Sequence, residues 1–87
     1  MALTILPGTR ARLDPDQITK IEICCVDAAH AEIRIFVADA AAPFFFEFPE
    51  KDAAVEFYRQ VWLLRSGEAL DDREMESVMA NSGAGFA

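Results

Sequence analysis

The chain has 87 residues, 53% of them hydrophobic, and a formal charge of −7 from eight Lys plus Arg against fifteen Asp plus Glu. That length allows one domain, and that much apolar material excludes a disordered chain. The acidity is heavier in the second half, repels phosphate backbones and anionic lipid, and is offset by no local basic patch, so neither nucleic acid nor a membrane is an expected partner.

Met1-Ala2-Leu3-Thr4-Ile5-Leu6-Pro7 lacks the basic start and longer apolar run of a signal peptide. No stretch reaches the roughly 18 apolar residues of a membrane helix, which leaves the cytoplasm as the expected location. Leu3 to Leu6 is a short apolar run closed by Pro7-Gly8, a pair suited to a type II turn. Arg10 to Leu13 can return beside it as a hairpin, with Arg10 and Arg12 on one face and Ala11 and Leu13 on the other. Asp14-Pro15-Asp16-Gln17 is then a turn, or a single helical turn capped by Asp14 with Pro15 first.

From Ile18 to Val26 the β-branched content is high, and Ile21, Ile23 and Cys25 alternate with Glu22, Cys24 and Val26. Asp27-Ala28-Ala29-His30 reads as a turn. Ala31 to Ala38 follows as a second strand, with Ile33, Ile35 and Val37 on one face and Glu32, Arg34, Phe36 and Ala38 on the other. So short a connection predicts an antiparallel hairpin. After Asp39-Ala40-Ala41-Ala42, Pro43 opens a third strand in which Phe44, Phe46 and Phe48 share the inner face, with Phe45 and Glu47 outside. Arg34 is expected to pair across strands with Glu22 or Glu47, and Cys24 to face Arg34.

Pro49-Glu50-Lys51-Asp52 starts a helix, with proline and acids where free amide hydrogens point. Ala54, Phe57, Val61 and Leu64 predict its buried stripe, extended by Ala53, and Gly67 its carboxyl-terminal cap. One helix cannot cover four or five strands spaced by roughly 4.8 Å, so a further element has to shield the rest. Asp71 with Glu74 three residues later predicts a second, short helix to Ala80 that places Met75, Val78 and Met79 on one side, with Leu70 leading in. It either finishes the core or docks on a partner.

These elements predict an α+β fold: an antiparallel meander of three to five strands, one long helix on one face and a short C-terminal helix. Residues 1–80 form a single domain. Residues 81–87, with two glycines and only Phe86 to anchor them, read as a flexible C-terminal tail.

The residues rich in chemistry do not converge. His30, the only histidine, sits in a turn, and a catalytic constellation needs partners from other elements. Cys24 and Cys25 are adjacent, so their side chains point to opposite faces of a strand, which suits neither a disulfide nor shared metal ligation. Two thiols without a staple framework fit a reducing compartment. The turn carboxylates follow no calcium-loop order, and the chain has no phosphate loop, paired-cysteine zinc pattern, metalloprotease motif or serine elbow. No cofactor or metal is expected, and no enzymatic role.

Surplus apolar surface is the informative feature. Cys24, Val26, Phe36 and Phe45 leave the outer sheet face half apolar, and Tyr58 and Trp62, four apart, form a second aromatic stripe on the long helix. Either these aromatics are covered by the last helix or they anchor an interface. The expected function is a small protein-interaction domain, a homodimer or the acceptor of a different protein. The alternative is a small-ligand module with an apolar pocket between sheet and helices, lined by the phenylalanines.

Overall fold

The computed structural model describes residues 3–6, 8–27 and 29–86, and at Val26 the backbone alone. The expected Pro7-Gly8 turn and the Asp27 to His30 turn each include one residue outside that set, Pro7 and Ala28. The fold is α+β. A four-stranded antiparallel sheet has the order β5-β4-β3-β6, from β3 (Ile18–Asp27), β4 (His30–Val37), β5 (Phe44–Phe48) and β6 (Gly83–Gly85). The amino-terminal hairpin, β1 (Thr4–Ile5) with β2 (Arg12–Leu13), is a separate two-stranded sheet and does not extend the meander.

Its turn is held locally: the Thr9 amide and hydroxyl both donate to the Leu6 carbonyl, at 3.1 and 3.0 Å, and Gly8 takes φ +71°. Leu13 is buried while Arg10 and Arg12 are exposed, as the alternation predicts. Asp14 caps one 3₁₀ turn, Pro15–Gln17, by accepting the Asp16 amide at 3.0 Å, the second of the two alternatives for this segment.

β3 and β4 pair over nearly their whole lengths, Ile21 opposite Ile35 and Ile23 opposite Ile33. A register shift between Ile18 and Lys20 inserts one extra residue, so Ile18 turns inward to face Val37 although it is an odd number of residues from Ile21. Strict alternation places Ile18 outside; it is 1% exposed. A second shift between Cys25 and Asp27 lets Asp27 pair with His30, which shortens the connection and makes His30 the first residue of β4. The Asp27 carboxylate accepts the Ala29 amide at 2.8 Å there.

The long helix α1 (Lys51–Ser66) lies across the inner face, and Gly67 ends it at φ +79° with its amide on the Leu63 carbonyl, 2.8 Å. Its buried stripe is Ala54, Phe57, Tyr58 and Val61. This corrects the expected one: Ala53 is exposed and Leu64 is 40% exposed. The stripe drifts instead toward Trp62 and Arg65, because the sheet is wider on the β3 side than the meander alone. Phe57 packs on Phe46 and Phe48 of β5, each centroid 5.1 Å away, while Tyr58 reaches β3 on the other side.

The second helix α2 (Asp72–Ala80) completes the core with Met75 and Val78, and Leu70 is buried ahead of it. Asp71 accepts the Glu74 amide at 2.7 Å, the cap that the sequence predicts. Arg59 ties the two helices by donating to Asp72 at 2.7 Å.

The extra width comes from residues 83–86, within the segment 81–87 where a free tail is expected. Gly83–Gly85 instead pair with β3, Ile21 opposite Ala84, and Phe86 continues with its amide on the Thr19 carbonyl, 2.9 Å. Only glycine permits this approach at position 83: at φ +139°, a Cβ would lie 2.5 Å from the Ile21 oxygen.

Candidate protein-interaction surface

Helix α1 packs against β3, β4 and β5 on their inner side, and their other side carries the alternate residues. Along that outer face Lys20 lies opposite Phe36, Glu22 opposite Arg34 and Cys24 opposite Glu32; Phe45 lies opposite Arg34 and Glu47 opposite Glu32. The face therefore has two ends. Lys20, Arg34, Phe36 and Phe45, with a single carboxylate, Glu22, make one end basic and aromatic, and Glu32, Glu47 and Asp27, beside His30, make the other acidic.

The cations sit over the rings. Lys20 Nζ is 5.9 Å from the Phe36 centroid and the Arg34 guanidinium 5.6 Å from that of Phe45, contacts worth about 0.5 to 1 kcal/mol at exposed sites. Glu22 takes Lys20 at 3.1 Å rather than Arg34, its cross-strand neighbour. Arg34 instead approaches Glu32 on its own strand at 3.7 Å, and Glu47 has no ion pair among the described residues. Glu32 and Glu47 thus stand directly opposite each other as like charges, an arrangement that is unfavourable within one chain. The expected Arg34 pairing with Glu22 or Glu47 is replaced by these contacts.

The six expected interface residues separate. Phe45 is 46% exposed, Phe36 is half-buried and Cys24 is exposed, and all three lie on the outer face. The side chain of Val26 lies outside the described residues. Tyr58 is fully buried and offers no surface to a partner. Trp62 is half-buried between Tyr58, stacked at 6.2 Å, and Phe86 at 4.4 Å, so the segment following the C-terminal strand packs over it. The Arg65 guanidinium closes over Phe86 at 4.8 Å.

Cys24 faces the carboxylate-bearing Glu32 and not Arg34, so no cation lies directly across from it. Burial raises the pKa of the Cys25 thiol, countered only in part by the nearby Lys51 charge. His30 Nε2 lies 3.2 Å from Glu32 Oε1 at the rim of a shallow cleft shared with Ala29, Glu47, Phe48 and Pro49. Two further clefts are open to the surface, one lined by Ala29, Pro49, Glu50, Lys51 and Asp52 and one lined by Arg59, Asp72, Met75 and Glu76 among others. The inward-facing phenylalanines of β5 pack on Phe57 and line the rim of the first cleft only through Phe48. Among the described residues no three His, Cys, Asp or Glu side chains gather as a metal site, and no helix is long and apolar enough to cross a membrane.

What the sequence does not reveal is the register: which carboxylate meets which cation on this face depends on two strand bulges with no local signature. Compared with protein-family models, curated proteins and solved structures, the chain shows no match.

Proposed function

We propose that this is a non-enzymatic protein-interaction domain that forms a homodimer through its uncovered sheet layer. One observation carries the proposal: among the described residues the outer face leaves Cys24 and Phe45 exposed and Phe36 half-buried. Its charges support pairing with a copy of itself, since any two-fold axis that brings two such sheets together, stacked or side by side, can set the basic, aromatic end of one chain against the acidic end of the other.

The size of the face limits the strength of the contact. Even if the whole face were covered, strands of ten, eight, five and three residues, at about 3.4 Å per residue and about 4.8 Å apart, give roughly 420 Å² per chain, or about 850 Å² for a pair, in the range of weak, transient contacts. A reversible dimer follows. The acidic balance favours a protein over nucleic acid or lipid as the occupant, and two free thiols suit a cytoplasmic setting.

Absolute mass by light scattering coupled to size exclusion, over a hundredfold range of concentration, tests this. A mass rising from 9.6 kDa toward twice that value, and reduced by Phe45→Glu, is the expected result. A monomer at every concentration excludes the homodimer and leaves a different protein as the partner.

A further inference from the structure

Strand β5 is an edge of the sheet, and its sequence is Phe44, Phe45, Phe46, Glu47, Phe48 between Pro43 and Pro49. None of its four phenylalanines is fully buried.

The ladder determines which of its backbone groups are free. In β3 the odd residues turn toward β6: the Ile23 amide donates to the Ser82 carbonyl at 3.1 Å, and the Thr19 carbonyl accepts from Phe86 at 2.9 Å. Alternate residues of an antiparallel strand bond to opposite neighbours, so Lys20, Glu22 and Cys24 bond toward β4. In β4 the even residues therefore serve β3 and the odd ones, Ala31, Ile33 and Ile35, serve β5 at Phe48, Phe46 and Phe44. This leaves positions 43, 45, 47 and 49 pointing away from the sheet. Positions 43 and 49 are prolines and have no amide hydrogen to offer. The open edge thus presents amide hydrogens at Phe45 and Glu47 alone, placed symmetrically about Phe46.

We infer that two copies of the chain join by pairing β5 with β5 of the second copy, antiparallel, about a two-fold axis at Phe46. The inference rests on the homodimer proposed above and specifies how the copies meet. In this register Phe45 lies opposite Glu47 of the other copy and Glu47 opposite its Phe45, so the free amides and carbonyls at 45 and 47 form four hydrogen bonds. The prolines meet each other at both ends and confine the pairing to that window. A shift that sets Glu47 against Glu47 is opposed by like charge.

Side chains agree with the backbone on both faces. On the inner side Phe46 meets Phe46 and Phe44 meets Phe48, which covers three aromatics that one chain leaves half-buried. On the outer side Glu47 of one copy arrives beside Phe45 of the other, whose ring already carries Arg34. Two strand spacings, about 9.6 Å, separate the Arg34 and Glu47 backbones, within the combined reach of these long side chains. Glu47, which has only the like-charged Glu32 across from it in its own chain, gains a cation.

The experiment is mass against concentration for the parent and for four variants, with circular dichroism to establish that each is folded. Glu47→Pro removes one outward amide hydrogen and no bond to β4, and is expected to raise the dissociation constant at least tenfold. Arg34→Glu and Glu47→Arg are each expected to weaken the dimer, and the double variant to recover the parent constant within about threefold, because it restores opposite charges across the axis. Phe36→Glu, on β4 one strand in from the seam and near the end of the face away from Glu47, is expected to leave the mass unchanged. If Phe36→Glu dissociates the dimer while Glu47→Pro and the charge variants do not, the copies meet face to face and the edge pairing is overturned while the homodimer stands. A parent that is monomeric throughout overturns both.

Discussion

The Tyr58 hydroxyl donates a 3.0 Å hydrogen bond to the carbonyl oxygen of Ile21, 37 residues away, where neither side chain retains any exposure. The bond fastens α1 to β3 at the residue that also pairs with Ala84 of β6. Helix, central strand and C-terminal strand therefore meet at one backbone carbonyl.

Tyr58→Phe keeps the ring and removes the donor. The Ile21 carbonyl retains its ladder neighbour, so the expected loss is that of one ordinary hydrogen bond, about 0.5 to 1.5 kcal/mol, read as a lower urea midpoint with an unchanged slope. A loss above about 3 kcal/mol would mean that the ring itself had moved.

Burial also raises the phenol's pKa from 10.0 to about 12, offset only in part by the Ala84 amide. The neutral form is the one that the fold favours, so this contribution is complete below pH 10. It falls as the unfolded chain ionises first, and is gone above about pH 12; at about 1.4 kcal/mol per pH unit it amounts to roughly 2 to 3 kcal/mol. Because the chain has one tyrosine, the tyrosinate absorbance band reports it directly. An ordinary midpoint near 10 in the folded protein would contradict the buried placement.

Gly83→Ala is expected to detach β6. The added methyl would meet the Ile21 oxygen at 2.5 Å and the Glu22 Cα at 2.8 Å, both backbone atoms of the neighbouring strand, at a φ of +139° that side chains rarely adopt. Strain of this kind costs about 1 to 3 kcal/mol. Releasing the strand lifts Phe86 from Trp62, the only tryptophan, so its emission should shift to the red. Unchanged emission with parent stability would show that β6 does not hold Phe86 in place.

The drift of the helix stripe gives a paired prediction. Leu64→Glu, at a site 40% exposed, should alter stability by no more than about 0.5 kcal/mol. Val61→Glu, at a site with 0% exposure, buries a carboxylate without a partner and is expected to abolish folding. Equal effects of the two in thermal denaturation would restore the simpler stripe through Leu64.

Much of the architecture is local and was legible for that reason. The alternation of Ile33, Ile35 and Val37, the capping pair of Asp71 and Glu74 and the stop at Gly67 each concern residues within a few positions of one another. Period and capping act over that range. The outer positions of Cys24, Phe36 and Phe45 followed from the same alternation.

The tertiary structure alone decided the rest, because each remaining choice depends on a partner far along the chain. The extra residue that turns Ile18 inward is set by its pairing with Val37. Tyr58 enters the core, and Leu64 does not, because residues 83–85 return to widen the sheet beside β3. By itself Gly83-Ala84-Gly85 has no β propensity and too little side chain to show a pattern; it is a strand because the open edge of β3 supplies the hydrogen bonds. The sequence determined which residues are apolar and how they alternate, and the folded sheet determined which of them remain uncovered.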